Sequence, residues 1–362
     1  MRFAAITNPG LETVTQLEIK EILGIDSEKK ESIVLFDTSF EEACRLTYKA
    51  QSIHKTLALL HDFEFETLED IEKVSLRTEW LTDSFAARCT RYGDHPFSSK
   101  DVEERVGARL KEENKAPVDL DNPVFPVHIH LRDNTCTIGI DLAGIDLSKR
   151  SYMLFTNRLA IKGTIAYGLA RLAGFTGNET LVDPFSRSGI IPIESTLYAK
   201  GLSPHFFNKD HLAFQYFPQF KKDPDKWFEE QDQKKDNKPN IIGYDSMLRN
   251  VKAANKNAKI AGIHKALNFS RVDISWLDTK HSKTEIDYVV TVPPQMSRHK
   301  NPKEIQKIYT ELFHQLDYVL GKKAVLLTRN PADLRDDRFK VIEEIPVSQG
   351  QESFFALILQ KA

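Results

Sequence analysis

Residues 181–194 read LVDPFSRSGIIPIE, and this stretch decides the fold class. The apolar pair Leu181 and Val182 ends at Asp183, a turn of small residues with Gly189 follows, and an apolar helical pattern comes next. We predict a strand, turn and helix of an open, mostly parallel sheet, in which ligands bind at the carboxyl ends of the strands. Backbone N–H groups at the start of the helix favour an anionic or polar ligand there.

The sequence around this stretch alternates short apolar runs with longer helical patterns. The predicted strands are 180–183, 240–244, 287–291, 324–328 and 354–359, and the predicted helices are 161–172, 190–199, 247–261 and 305–320. Strands that alternate with helices predict an α/β, doubly wound sheet. We therefore assign residues 149–362 to a Rossmann-like domain.

The first part of the chain has a different pattern, typical of α+β units. In residues 1–60 the pattern predicts strands over 3–7 and 33–36 and a helix over 40–48. In residues 61–148 it predicts strands over 84–90, 127–131 and 136–142. Polar capping residues from Ser98 onward introduce a helix over 102–110. A chain of 362 residues exceeds the usual size of one domain. We therefore predict three domains, 1–60, 61–148 and 149–362.

Composition narrows the class of protein. Hydrophobic residues make up 41% and charged residues 28% of the chain, which is typical of a globular protein. No secretory-type leader and no apolar stretch of membrane-spanning length is found in the sequence, so we expect a cytoplasmic protein without a membrane partner. Cys44, Cys89 and Cys136 lack a metal-site spacing, so we expect buried thiols and no metal. We also expect a monomer, and the sequence does not indicate a helper subunit.

The net charge of −2 gives no overall attraction to nucleic acid, so a polyanion site requires a local basic patch. The candidate RNA-binding residues are Arg88, Arg91, Lys149, Arg150, Arg298 and Lys300. Each of them is also compatible with an ordinary solvated surface. They form an RNA site only if the fold brings them together.

Residues 201–240 form an insertion rich in aromatic residues, followed by a charged segment. Two interpretations of the aromatic residues remain open. They either cover sheet surface as part of a core, or they present a platform on which unpaired bases stack.

Several motifs resemble one family over nearly the whole chain. NPGLE at 8–12, RCTRYGDHPFSSKDVEERVG at 88–107 and GIDLAGIDLSKRSY at 139–152 resemble the ferredoxin-like plus THUMP module of RNA-modifying enzymes. DPFSRSGIIPIE at 183–194, IIGYD and VPPQ resemble the S-adenosylmethionine-dependent domain of THUMP-containing tRNA guanine-N2 methyltransferases. The usual family pattern there is DPFCGSGTIPIE and then NPPY.

The resemblance implies a set of cofactor-binding residues. Asp245 matches the acid that accepts hydrogen bonds from the ribose hydroxyls, and Asp273 matches the acid that meets the adenine amino group. The remaining positions belong to the cofactor loop and the helix after it: Asp183, Ser186, Ser188, Gly189 and Glu194. Helix capping or a solvated strand end remains an alternative role for each acid.

Two motifs depart from the family pattern. The positions that supply the acceptor and the stacking ring hold Val292 and Gln295, with Pro293 and Pro294 between them. Valine accepts no hydrogen bond and glutamine stacks poorly, which leaves the Thr291 hydroxyl and nearby carbonyls as acceptors. A second departure replaces a family glycine of the cofactor loop.

Arg187 stands at that glycine position. Its side chain either obstructs the cofactor, at a backbone position that suits glycine, or points outward to meet a phosphate.

Three functional hypotheses follow. The resemblance favours S-adenosylmethionine-dependent methylation of the N2 amine of a guanosine in tRNA, with residues 292–295 at the reacting amine. The altered motifs favour a catalytically degenerate, THUMP-containing tRNA-binding protein instead. An unrelated P-loop or nicotinamide-dependent enzyme is disfavoured, because the chain contains neither GxxxxGK[ST] nor GxGxxG.

Overall fold

A computed structural model describes residues 1–73, 76, 79–156, 160–296 and 301–362. Its core is built from two seven-stranded sheets, one in each half of the chain. Within the described residues, no helix combines the length and the apolarity needed to cross a membrane.

The N-terminal sheet has the strand order β2-β3-β1-β4-β7-β6-β5. Its strands are β1 (Arg2–Thr7), β2 (Glu28–Lys30), β3 (Ile33–Asp37), β4 (Ile53–Glu64), β5 (Phe85–Tyr92), β6 (Phe125–Arg132) and β7 (Thr135–Asp141). Its helices are α1 (Glu12–Leu23), α2 (Phe40–Lys49), α3 (Leu68–Lys73) and α4 (Ser99–Asn114). The cap predicted from sequence is present, since Ser98 and Asp101 form a reciprocal capping box at the start of α4.

Strand β4 joins the two N-terminal units into one sheet. It pairs with β1 on one side and with β7 on the other. The boundary that we placed at residue 60 falls inside this strand, and the division into three domains stays a prediction.

The C-terminal sheet has the order β10-β9-β8-β11-β12-β14-β13. Its strands are β8 (Thr180–Asp183), β9 (Asn240–Asp245), β10 (Asn268–Arg271), β11 (Ile286–Thr291), β12 (Leu320–Thr328), β13 (Phe339–Gln349) and β14 (Glu352–Lys361). Its helices are α5 (Gly163–Ala173), α6 (Ile190–Lys200), α7 (Pro224–Gln231), α8 (Leu248–Ile260), α9 (Leu277–Lys280) and α10 (Pro302–Val319). The predicted α/β fold class is confirmed.

The topology of this sheet places a crevice at its centre. Strands β8 to β12 pair in parallel, and β14 runs antiparallel to β12 and β13. From β8 the sheet extends through β9 to β10 on one side. The next strand along the chain, β11, lies on the other side of β8. Such a switch point leaves room between the loops that follow β8 and β11, where ligands of open α/β sheets bind.

The aromatic insertion packs into the core of the N-terminal module. Phe214, Phe217, Trp227 and Phe228 are buried in that core, and the ring of Phe228 lies 4.9 Å from that of Tyr48. The core-covering interpretation therefore holds for these four residues, and they are not available as a platform for bases.

Candidate functional site

The turn after β8 has the backbone shape that its small residues predict. Gly189 begins α6 at φ 85°, and a Cβ atom there would lie 2.7 Å from the ring of Phe269. Arg187 also has a positive φ, 47°, although it is not a glycine. A side chain in this left-handed region costs about 1–2 kcal/mol, so the loop holds Arg187 in a strained conformation.

Asp183 lies at the carboxyl end of β8 and is almost completely buried. Its Oδ1 accepts hydrogen bonds from the Thr291 hydroxyl at 2.5 Å and from the Phe185 N–H at 3.1 Å. Burial raises the pKa of Asp183 to about 7, although these hydrogen bonds and the nearby Arg187 charge act in the opposite direction. The Thr291 hydroxyl, which we considered as an acceptor for a base amine, donates to Asp183, and Thr291 is fully buried, so it is not open to a base in this structure.

Asp245 lies at the end of β9 and connects three segments of the site. One carboxylate oxygen accepts a hydrogen bond from the backbone N–H of Arg187 at 3.0 Å. The other accepts from the Met247 N–H at 2.8 Å and from the Asn250 side-chain amide at 3.0 Å. A carboxylate offers about four acceptor positions, so Asp245 keeps capacity for one further hydrogen bond.

Asp273 follows β10 and is exposed. One of its oxygens accepts from the backbone N–H of Ser275 at 3.2 Å and from its hydroxyl at 3.1 Å, which caps the short 3₁₀ turn 274–276. The capping role that we left open for this acid is therefore present, and the structure shows no hydrogen bond to its other oxygen among the described residues.

These strand ends surround one cleft of about 720 Å³. Asp245, Asp273, Arg187 and Pro294 line it together with apolar side chains. A pocket of 300–1,000 Å³ suits a ligand of nucleoside size. The structure thus brings together the two acids that the sequence assigned to the cofactor nucleoside.

The two serines of the loop are buried beside the cleft. The Ser186 N–H donates to the Tyr244 carbonyl at 2.8 Å, and the Ser188 carbonyl accepts from the Asn257 amide at 2.9 Å. The Ser186 hydroxyl has no hydrogen-bond partner within the described part of the chain. In this structure the serines shape the loop, and neither side chain lines the cleft.

Arg187 turns its side chain across the cleft toward the loop after β11. Its Nη2 atom donates to the Pro293 carbonyl at 3.3 Å. Burial lowers the pKa of its guanidinium, and the carboxylates of Asp183 and Asp245 oppose that effect. The side chain therefore does not point outward, and it lines the cleft of about 720 Å³.

Of the segment 292–295, Pro294 lines the cleft, whereas the side chains of Val292 and Gln295 do not, unlike what the family pattern implies. Val292 packs in the apolar cluster that contains Val290 and Leu327. Gln295 is buried, and its amide donates to the Pro293 carbonyl at 2.8 Å while its oxygen accepts from the Arg329 N–H at 2.9 Å. Glutamine at the place of the aromatic residue thus braces the proline turn.

Glu194 lies in a sealed polar network, away from the cleft. Its carboxylate accepts from the Arg150 Nε at 2.7 Å, from the Gln51 amide at 2.7 Å and from the Tyr152 hydroxyl. The side chains of Arg150 and Glu194 are both fully buried. This corrects two predictions, because neither Glu194 can touch a cofactor nor Arg150 an RNA in this arrangement. Gly163 makes room for the pair, since a Cβ there would lie 2.4 Å from the Arg150 Nε.

Among the residues that the structure describes, the predicted RNA-binding residues do not all lie on one surface. Successive strand residues alternate between the faces of a sheet, so Arg88 and Arg91 of β5 project to opposite faces. Lys149 is exposed in the linker after β7. Arg298 and Lys300 lie outside the described residues.

The sequence analysis did not predict four residues that hold Glu194, Asp245 and the Ser188 carbonyl by hydrogen bonds. Gln51 and Tyr152 hold Glu194, Asn250 holds Asp245, and Asn257 holds the Ser188 carbonyl. Only Asn250 carried a local signal, because it follows Asp245 on the first turn of α8. The other three come from distant segments.

Comparison with known proteins agrees with this architecture. A family model described as UPF0020, an RMKL-like methyltransferase domain, matches residues 150–351, and a THUMP domain model matches residues 64–141. The tRNA (guanine(6)-N2)-methyltransferase of Methanocaldococcus jannaschii is 27% identical over 372 residues, 97% of each chain. The ribosomal RNA large subunit methyltransferase K/L of Syntrophotalea carbinolica is 24% identical over 91% of this chain, which spans 49% of that relative.

A solved structure has the same fold. The crystal structure of SMU.472, complexed with SAH, superposes with a TM-score of 0.80 at 19% identity. The match covers 100% of this chain and 98% of that one.

Proposed function

The chain belongs to the family of RMKL-like methyltransferase domains, and we propose that it transfers a methyl group from S-adenosylmethionine to the N2 amine of a guanosine in tRNA. The observation that carries this proposal is the cleft at the switch point of the sheet, in which Asp245 and Asp273 stand at neighbouring strand ends. A cytoplasmic location belongs to the same proposal, because tRNA is its substrate.

The relatives favour tRNA over ribosomal RNA as the substrate class. The tRNA enzyme of M. jannaschii matches this chain over 97% of both lengths. The K/L enzyme is matched over only 49% of its own length, so half of that protein has no counterpart here. The name of the first relative makes the guanosine at position 6 the first target to test.

The residues of the cleft fit the cofactor. Asp245 keeps one acceptor position, which suits a ribose hydroxyl, and Asp273 has an uncommitted oxygen at the next strand end. Gly189 lets the start of α6 pack closely against the side chains of Phe269 and Ala254. S-adenosylmethionine supplies an activated methyl group on a positively charged sulfur.

The chain needs to position the guanine amine, since that amine is already neutral and requires no strong base. Holding reactants in the right geometry can supply about 7–11 kcal/mol of a barrier. Val292 contributes no acceptor, so the role of orienting the amine falls to a backbone carbonyl of the proline turn. We assign it to Pro293, whose carbonyl would exchange one of its two donors, Arg187 or Gln295, for the amine.

That same observation favours a second candidate function. The protein's own side chains occupy the Pro293 carbonyl, as expected if the chain is a catalytically degenerate, THUMP-containing tRNA-binding protein. In that case the cofactor cleft is a remnant and the N-terminal module binds tRNA.

A cofactor titration separates the two functions. We expect S-adenosylhomocysteine to bind the wild-type protein with micromolar affinity in calorimetry. Asp245→Ala should weaken it at least tenfold, or about 1.4 kcal/mol, because the ribose loses its acceptor. The exposed Asp225→Ala on α7 is the matched control and should bind as the wild type does.

The activity itself is tested with tRNA transcripts and radiolabelled S-adenosylmethionine. Methylation should require a guanosine and fall to background when adenosine, which lacks the N2 amine, replaces it. Tight tRNA binding with no cofactor binding and no transfer establishes the degenerate alternative.

A further inference from the structure

We propose that one face of α8 is an RNA-docking surface, which binds the phosphate backbone of the tRNA beside the cleft. This face, which we call the basic face, carries Arg249, Lys252, Lys256 and Lys259. The inference rests on the proposed function, because it names the surface that holds the proposed substrate. The candidate RNA-binding residues from the sequence analysis do not include any of these four.

The charged side chains of α8 are all of one sign. Its sequence, LRNVKAANKNAKI, contains four basic residues and no Asp or Glu. Successive residues of a helix are about 100° apart around its axis, so the four basic side chains fall within an arc of about 80°. All four are exposed, and the buried residues Val251, Ala254 and Ala258 lie on the opposite side of the helix. The basic face therefore points to solvent and extends about 15 Å along α8.

The four cations have no anionic partner from the protein. In the part of the chain that the structure describes, none of them forms an ion pair with a carboxylate. On α4, by contrast, Lys100 pairs with Glu104 and Arg109 pairs with Glu113. Like charges three or four positions apart on a helix repel each other, and each successive pair of the basic face has this spacing. A bound polyanion relieves that repulsion.

The basic face begins at the cleft. Arg249 lines the cleft together with Asp245 and Asp273, and the other three cations follow along α8. The chain as a whole has a net charge of −2, so attraction to a phosphate backbone must come from a local patch such as this one. RNA bound along α8 would therefore lie next to the proposed site of methyl transfer.

Two exposed aromatic rings flank the basic face. Phe155 is 39% exposed, and the Lys256 Nζ lies 4.6 Å from the centre of its ring. Phe207 is 60% exposed and packs just beyond the end of α8, where a Cβ atom on Gly262 would lie 3.3 Å from its ring. Surfaces that hold unpaired nucleotides combine cations with aromatic rings on which bases stack. This combination favours RNA over an acidic protein as the partner.

The test removes three charges from the basic face and, in a control, three from elsewhere on the surface. Arg249 is kept because it lines the cleft. The test variant combines Lys252→Gln, Lys256→Gln and Lys259→Gln. The control variant combines substitutions of three other exposed lysines, Lys280→Gln, Lys283→Gln and Lys340→Gln. The first two control positions lie at the end of α9 and just after it, and α9 packs in the apolar cluster of α10, whereas α8 packs in that of α6.

Binding of a tRNA transcript is measured over a range of salt concentrations. At about 0.1 M salt we expect the test variant to bind at least tenfold more weakly than the wild type. The slope of log affinity against log salt should become shallower by about 2–3, because three phosphate contacts are lost. The control variant should keep its affinity within about twofold and its slope unchanged. Arginine at the same three positions of α8 retains the charges and should restore binding to within about threefold of the wild type.

Two further measurements show that the test variant is intact. Its melting temperature should not fall, because the substitutions are exposed and remove repulsion. Its affinity for S-adenosylhomocysteine should stay within about threefold of the wild type, since none of the three lysines lines the cleft. In methylation assays KM for tRNA should rise at least tenfold while kcat changes by less than about threefold, as expected for a residue set that only binds the substrate.

The results separate this inference from the proposed function. Methyl transfer by the wild type decides the proposed function, and the binding of tRNA by the variants decides the role of the basic face. Weakened, less salt-dependent binding in the test variant alone supports the inference even where the wild type transfers no methyl group. Unchanged binding in the test variant, an equal loss in the control, or a wild type that binds no tRNA overturns it.

Discussion

Two polar clusters, one at Glu194 within α6 and one at Arg187 in the loop before it, contain similar types of residues and behave differently. In the sealed cluster, Glu194 and Arg150 are fully buried, and Gln51 and Tyr152 complete the hydrogen bonds of the carboxylate. In the open cluster, Asp245 and Arg187 line a cleft of about 720 Å³. The motif that precedes and begins α6 contributes to both.

The difference shows how burial and hydrogen-bond saturation separate structural charges from ligand-binding ones. Glu194 has protein donors on both oxygens and no access to solvent, so a ligand could reach it only by breaking the core. Asp245 has comparable bonds but retains an acceptor position at the cleft. Residue type alone does not distinguish these situations.

The largest expected effect breaks the sealed cluster. Glu194→Ala should lower the free energy of unfolding by about 3–5 kcal/mol, because Arg150 is left as a buried, unpaired charge. Chemical denaturation measures this change. The control is Glu28→Ala, which breaks the exposed pair with Arg2 and should cost about 1 kcal/mol or less.

The same cluster gives a second readout. Glu194→Gln should bind S-adenosylhomocysteine within about threefold of the wild type while it is folded, because the residue does not line the cleft. A selective loss of cofactor affinity in a stable variant would contradict the distinction between the clusters.

A somewhat smaller effect concerns Asp183 at the base of the open cluster. Its pKa is raised by burial from 3.8 to about 7, so the folded state retains a proton that the unfolded chain has released. Stability should therefore fall as the pH rises from about 4 to about 7 and then level off. Asp183→Asn should remove this dependence and raise the free energy of unfolding at pH 8 by about 2–4 kcal/mol.

Thermal melting at a series of pH values measures this prediction. Asparagine keeps an oxygen that accepts from Thr291 and Phe185. An Asp183→Asn variant that melts with the same pH profile as the wild type would show that the buried acid is ionised throughout this range.

The smallest expected effect concerns Gln295, which braces the loop of the open cluster. Gln295→Leu should lower the free energy of unfolding by about 1–3 kcal/mol, because the Arg329 N–H and the Pro293 and Leu327 carbonyls lose a buried partner. Chemical denaturation checks this value. A neutral substitution would mean that Gln295 fills space without bracing the turn.

Local patterns were sufficient for most of the C-terminal sheet. The strands that begin near residues 180, 240 and 287 follow from apolar runs, and the acids Asp183 and Asp245 lie at strand ends as predicted. Strand β10 was not predicted, because its four residues, NFSR, show little apolar character. Strand β13 was also not predicted. It is an edge strand that contains Pro346 and two consecutive glutamates, which are unusual within strands.

The sequence by itself determined the α/β fold class and the place of the cleft, because both depend on periodicity and on residues adjacent along the chain. Only the tertiary structure decided that Glu194 and Arg150 are buried together and that Arg187 meets the Pro293 carbonyl. These contacts join residues 44 and 106 positions apart, respectively. No local pattern encodes such contacts, because burial and hydrogen-bond partners are set by the segments that the fold packs together.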